Sequence, residues 1–218
     1  VDSDYSAKTL IRELMLSDDF RASHIDPEAE LAEEDGSWDH VGVKKTRPTQ
    51  LGIFIESMTG LHWTADLTEF GLGQVDLMED TFIGFQMLGG GIDGYYVTRP
   101  TDTYNATSSL LLRTLAREGA GLVVASDFTK PKDERRLLKV ADESTSDEAT
   151  IRAQLVELCR IIYAQEYAAD DPEIDALYAL HDAAGDTPNT AFLQPSPQQQ
   201  AWMVVVSAML QDPRVAFH

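Results

Sequence analysis

The stretch EATIRAQLVELCRIIYAQEY, residues 148–167, sets Ile151, Leu155, Leu158, Ile162 and Tyr163 three or four positions apart. That is the period of one face of an α-helix, and it excludes a strand, whose apolar positions alternate. Ser144 to Asp147 supplies capping residues just before it. On either side the same period recurs. Pro172 opens a helix over 172–184, and residues 198–210 form another carrying Trp202, Val205, Val206, Met209 and Leu210. A long helix is predicted over 106–125 and a short one over 133–141. Residues 51–58 read as a helix that Thr49 caps and Gly60 stops. Further helices are predicted over 6–16, through Phe20, over 28–34 and over 80–88.

Two connections stand out. Residues 60–79 carry Trp63, Leu67 and Phe70 at a short spacing that could hide a hairpin, although alternation is not strict. Residues 89–100, GGGIDGYYVTRP, hold four glycines. Residues 185–197 are a loop rich in Pro, Thr and Asn, and no internal repeat or domain boundary is visible. The expected fold is therefore all-α: one irregular helical domain over 1–218, of about nine helices with long loops.

The balance of 37 acids to 17 bases gives a net charge of -20. Such a surface repels phosphate backbones and anionic lipid, so nucleic acid is not an expected partner. No apolar run is long enough to span a bilayer. Cys159 is the single cysteine, and its apolar neighbours mark it as a buried, inert thiol. No disulfide can form within the chain, and the absence of C-x-x-C-H excludes covalently attached c-type haem. The start at Val1 reads as that of a processed protein or an excised domain.

No catalytic constellation is legible. The histidines, His24, His40, His62, His181 and His218, show no zinc-helix spacing, and no metal site is assigned. There is no G-x-S-x-G elbow, and 37 carboxylates offer no basis for choosing a glycosidase pair. The pairs Asp18/Asp19, Glu33/Glu34 and Asp170/Asp171 lie near helix ends, where carboxylates stabilise N-termini. The glycine run fits neither a dinucleotide fingerprint nor a P-loop. It could present Asp93 as an acceptor and Arg99 as an anion fork, with Gly90 and Gly91 letting a ligand approach the backbone. Equally, it is a packed loop in which Asp93 and Arg99 pair with each other.

RPTQLGIFIESMTG (residues 47–60) followed by FQMLGGGIDGYYVTRP (residues 85–100) resembles a pair of segments in large extracytoplasmic bacterial proteins. Those proteins are abundant in planctomycetes and occur in other Gram-negative bacteria, where helical domains of unknown function accompany c-type cytochrome domains. The matching pieces are Gly90-Gly91-Ile92-Asp93, Val97, Arg99, Leu115-Ala116-Arg117-Glu118 and Asp127-Phe128. LIRELMLSDDFRAS (10–23) and AWMVVVSAMLQDPRV (201–215) are also similar to it. Gly94 stands where that family has serine, and Gly89 where an aromatic is common. The resemblance implies a helical, periplasmic or cell-surface protein. From it follows the first expected function, a non-catalytic module that binds a redox partner, such as a c-type cytochrome, or an envelope partner. The second is an enzyme acting on an extracellular polymer or small molecule at residues 89–100. The third is a structural protein dependent on Ca²⁺, which clustered carboxylates would suit.

Overall fold

A computed structural model describes residues 45–80, 83–91, 95–101, 103–187 and 195–217. The helices expected over 6–16, through Phe20 and over 28–34 lie outside them. Contacts divide the chain into Lys45–Ala216 and a smaller unit of Val1–Lys44 with Phe217–His218, of which only Phe217 is described.

Lys45–Ala216 is built mainly of helices. In chain order these are α1 (Pro48–Thr59), α2 (Phe85–Leu88), α3 (Ala106–Phe128), α4 (Glu148–Tyr163), α5 (Pro172–Asp186), α6 (Pro197–Leu210) and α7 (Pro213–Ala216). Capping explains most of the starts. Asn105 Oδ1 accepts from Ser108 N (2.9 Å) ahead of α3, and Asp147 Oδ2 from Thr150 N (2.9 Å) ahead of α4. Asp171 Oδ1 accepts from Glu173 N (2.9 Å), so one acid of the Asp170/Asp171 pair caps α5. Ser196 and Gln199 close a reciprocal capping box on α6. Pro48, Pro172 and Pro197 each occupy a first helical position, where no N–H is needed. Thr49 is not the cap of α1: Arg47 is, and the Thr49 hydroxyl instead donates to Gln86 Oε1 (3.0 Å).

α6 is the hub. It buries Ala201, Trp202, Val205, Val206, Met209 and Leu210 around most of its circumference, packing on α3 on one side and α5 on the other. α1 lies on α3 and α4 lies on α5. Gly119 of α3 lets α1 come close, because a Cβ there would meet Thr59 Cγ2 at 2.9 Å. Arg214 of α7 ties three helices. Its guanidinium reaches Glu173 (2.6 Å) and Asp212 (2.8 Å) and lies 4.0 Å from the centroid of the Tyr163 ring.

One open possibility is resolved and three expected helices need correction. The possible hairpin in 60–79 is real: β1 (Thr64–Asp66) and β2 (Gln74–Asp76) pair antiparallel, with Ala65 opposite Val75. Of the helix expected over 80–88, the described residues show only Phe85–Leu88, with Asp80 Oδ1 accepting from Ile83 N (2.8 Å) ahead of it. The helix expected over 148–167 stops at Tyr163, where Ala164 turns left-handed (φ 53°). The helix expected over 133–141 is a single 3₁₀ turn, Lys132–Glu134. Beyond it the backbone is captured by side chains. Asp127 Oδ1 accepts from Arg136 N (3.0 Å), and Oδ2 from Leu137 N (2.8 Å) and Leu138 N (2.9 Å). Gln154 Oε1 accepts from Val140 N (2.7 Å) and Ala141 N (3.1 Å), while its Nε2 donates to Leu137 O (2.9 Å). Arg135 donates to the carbonyls of Lys130, Leu138 and Ala141. Asp127, Gln154 and Arg135 are all buried, so each satisfies backbone groups that water cannot reach.

A contrasting join lies between α5 and α6. His181, 4% exposed, meets the fully buried Trp202 edge-on, with ring centroids 4.5 Å apart. His181 Nε2, Trp202 Nε1 and, one turn before Trp202, Gln198 Oε1 are buried without hydrogen-bond partners.

Two outcomes are expected. Asp127→Ala orphans two buried N–H groups and one part-buried one, and should cost at least about 2 kcal/mol by chemical denaturation, since each lost buried acceptor costs roughly 1–3 kcal/mol. Burial holds the His181 pKa below its ordinary 6.5, against a smaller opposing pull from Asp182. Below pH 6.5 the unfolded chain therefore takes up a proton that the folded chain refuses, and stability falls as pH falls through that window. His181→Phe should flatten this part of the melting-temperature profile. An unchanged slope would assign it to other groups.

Candidate functional site

The glycine run begins at the end of α2 and is shaped by packing. A Cβ on Gly89 would meet Phe85 O at 2.8 Å and Pro48 at 3.1 Å, and one on Gly91 would meet Gln86 O at 2.6 Å. Gly91 N donates to Gln86 O (2.7 Å), closing the turn after α2. Gly90 is left-handed (φ 86°), and its carbonyl accepts from Thr101 N (2.9 Å), so the two ends of the loop are joined. Lys45 Nζ spans the same junction, donating to Gly89 O (2.8 Å), Thr101 O (3.2 Å) and Thr103 O (3.3 Å).

Of the residues expected to bind, Gly90 and Gly91 are accounted for by this turn, with Gly91 buried. Arg99 is exposed on the loop. Asp93 lies outside the described residues. A crevice beside the junction is lined by Lys45, Pro48, Leu51, Phe85 and Ser108 among others, and encloses about 10 Å³. That is at the threshold for one water. Ser108 Oγ, buried in its wall, has no hydrogen-bond partner.

Other sequence candidates are accounted for locally. His62 Nδ1 lies 3.1 Å from Glu56 on an exposed surface. Cys159 is fully buried, and burial pushes its thiol up to about 11, so thiolate is scarce at neutral pH. Among the described residues, no three His, Cys, Asp or Glu side chains gather in a way that could hold a metal ion. Also among them, no helix is long and apolar enough to cross a membrane.

The most distinctive feature is on the surface. From Pro48 to Thr98 the chain contains no Lys or Arg, but seven carboxylates: Glu56, Asp66, Glu69, Asp76, Glu79, Asp80 and Asp93. Among the described residues, eight of the eleven large apolar side chains that are exposed fall in this same stretch. They include Phe70 and Leu72 at the hairpin tip and the adjacent pair Tyr95 and Tyr96, 75% and 92% exposed. The signal was available in the sequence as a long gap between Arg47 and Arg99, but which apolar residues face outward required the fold. No family model, curated protein or solved structure matches the chain.

Gly91→Ala forces a Cβ against Gln86 O and should destabilise by about 1–3 kcal/mol, the usual cost of overpacking. Arg99→Ala, at an exposed position, should leave the melting temperature within about 1–2 °C. A fall as large as that of Gly91→Ala would place Arg99 in a structural pair.

Proposed function

We propose that the chain is a non-catalytic extracytoplasmic module that docks a positively charged protein partner, of the c-type cytochrome class that its sequence resemblance names. One observation carries the reading: most of the exposed large apolar side chains among the described residues fall in a 51-residue stretch, 48–98, that has seven acids and no Lys or Arg. Interfaces combine a few aromatic or aliphatic anchors with complementary charge, the first giving affinity and the second steering and register. Tyr95 and Tyr96 suit the anchor role, being amphipathic and low in conformational entropy. Their ring centroids are 6.5 Å apart. They stand on a loop whose ends are fixed by the Gly90–Thr101 bond and Lys45, which limits the ordering cost of docking. The extracytoplasmic setting rests on the resemblance alone.

The test is calorimetric titration of the chain with a lysine-rich c-type cytochrome at two salt concentrations. Affinity should weaken about tenfold or more between about 0.01 and 0.1 M salt, over which the Debye length falls from about 30 to 10 Å. The Tyr95→Ala/Tyr96→Ala double variant should lose about tenfold in affinity while remaining folded by circular dichroism. Absence of binding at low salt would refute the cytochrome-class assignment. Binding indifferent to both salt and the tyrosines would refute the docking surface.

A further inference from the structure

The hairpin carries a feature that its short strands do not require. Between β1 and β2 the chain runs Leu67-Thr68-Glu69-Phe70-Gly71-Leu72-Gly73, and Phe70 and Leu72 are 77% and 59% exposed. A loop that merely joins two three-residue strands could do so with polar residues throughout.

The apolar tip is also held in shape. Asp66 Oδ1 accepts from the Thr68 N–H (3.0 Å) and from the Thr68 hydroxyl. Leu67 O accepts from Phe70 N (2.9 Å) and Leu72 N (3.2 Å), while Leu67 N donates to Gly73 O (2.7 Å). Gly71 N donates to Thr68 O (3.0 Å). Gly71 and Gly73 are left-handed, at φ 77° and 72°, and no atom outside the immediate chain would meet a Cβ on either. The tip is held in shape by these hydrogen bonds of its own. Two large apolar side chains are therefore presented outward on a pre-shaped prong, which lowers the entropy lost on binding.

The charge around the prong fixes the kind of surface it fits. Glu69 is within the tip, Asp66 and Asp76 are in the two strands, and Glu79 and Asp80 follow β2. The hairpin and its flanks hold no Lys or Arg. The Thr68 hydroxyl and N–H hold the Asp66 carboxyl below the usual carboxylate range, so it is charged at neutral pH. Such a rim repels an anionic bilayer and a second copy of this acidic chain.

We propose that the tip of the β1–β2 hairpin is a docking anchor, on which Phe70 and Leu72 insert into an apolar recess of a basic polypeptide whose Lys or Arg side chains meet the surrounding carboxylates. The proposal rests on the reading of the chain as a docking module but not on the partner being a cytochrome. Glu69 steers, and the two apolar side chains supply the affinity.

The full-length chain is titrated with a synthetic amphipathic peptide of alternating Lys and Leu. Controls are a Lys–Gly repeat, which offers charge alone, a Glu–Leu repeat, which offers apolar contact alone, and neutral phosphatidylcholine vesicles. The Lys–Leu peptide should bind at least about tenfold more tightly than either other peptide, and Phe70→Ser/Leu72→Ser should remove about tenfold or more of that affinity. Circular dichroism should show the variant folded with a melting temperature within about 1–2 °C, since both side chains are mostly exposed. The milder Phe70→Leu should retain most of the binding. Unaltered Lys–Leu affinity in the double variant would overturn the proposal, as would equal binding of the Lys–Gly repeat. Vesicle binding that depends on Phe70, with no preference for Lys–Leu, would also overturn it, in favour of a lipid surface. Should the cytochrome titration fail while the Lys–Leu peptide binds through Phe70 and Leu72, the partner class falls and the anchor stands.

Discussion

A single buried carboxylate determines how the two halves of the helical unit meet. Asp127 sits at the last turn of α3 and gives its two oxygens to three successive N–H groups, those of Arg136, Leu137 and Leu138. The N–H groups of Leu137 and Leu138 would otherwise be orphaned, because both residues are fully buried. Gln154 of α4 completes the arrangement from the other side, binding the N–H groups of Val140 and Ala141 and the carbonyl of Leu137. The irregular segment 130–142 thus becomes a plug clasped between the end of α3 and the body of α4. It adds a second connection between α3 and α4, which are otherwise related through α6 and α5.

This explains where the sequence was legible. The helical period in α3, α4, α5 and α6 is a local property of side-chain spacing, reinforced by caps at Asn105, Asp147, Asp171 and Ser196. Segment 133–141 also offers helix-forming residues, ERRLLK, and local propensity favours a helix there. Tertiary hydrogen bonds from Asp127 and Gln154 override that preference, and neither residue is near it in sequence. The one available hint was an Asp at a position of α3 that continues the buried row of Ala116, Ala120 and Val124. The hairpin was half visible, because three-residue strands are too short for alternation to register.

The candidate site was legible in a different way. Three glycines in a row did mark a tight place, but the tightness belongs to the turn after α2 and its contact with Pro48. Glycines needed for close packing and glycines needed for ligand approach look alike in a sequence, since both follow from the missing Cβ. Lys45, which bridges Gly89, Thr101 and Thr103, could not have been tied to the loop by spacing, being 44 residues from Gly89.

The distribution of the bases gives the acidic surface its meaning. Arg135 is buried on carbonyls and Asp142, Arg136 holds Ser57 O, Arg152 bridges Glu148 and Asp175, Arg160 pairs with Glu157, and Arg214 joins Glu173 and Asp212. Several arginines of the C-terminal half are thus engaged within the molecule, Arg152 and Arg214 joining one helix to another. From Pro48 to Thr98 no base of the stretch's own offsets its acids, and the apolar side chains left in water are concentrated there. Solubility alone would call for acids dispersed over the surface and apolar groups turned inward. Under the proposed docking function, an arginine-fastened C-terminal part beside an anionic, apolar-tipped stretch is the surface that a cationic partner would meet.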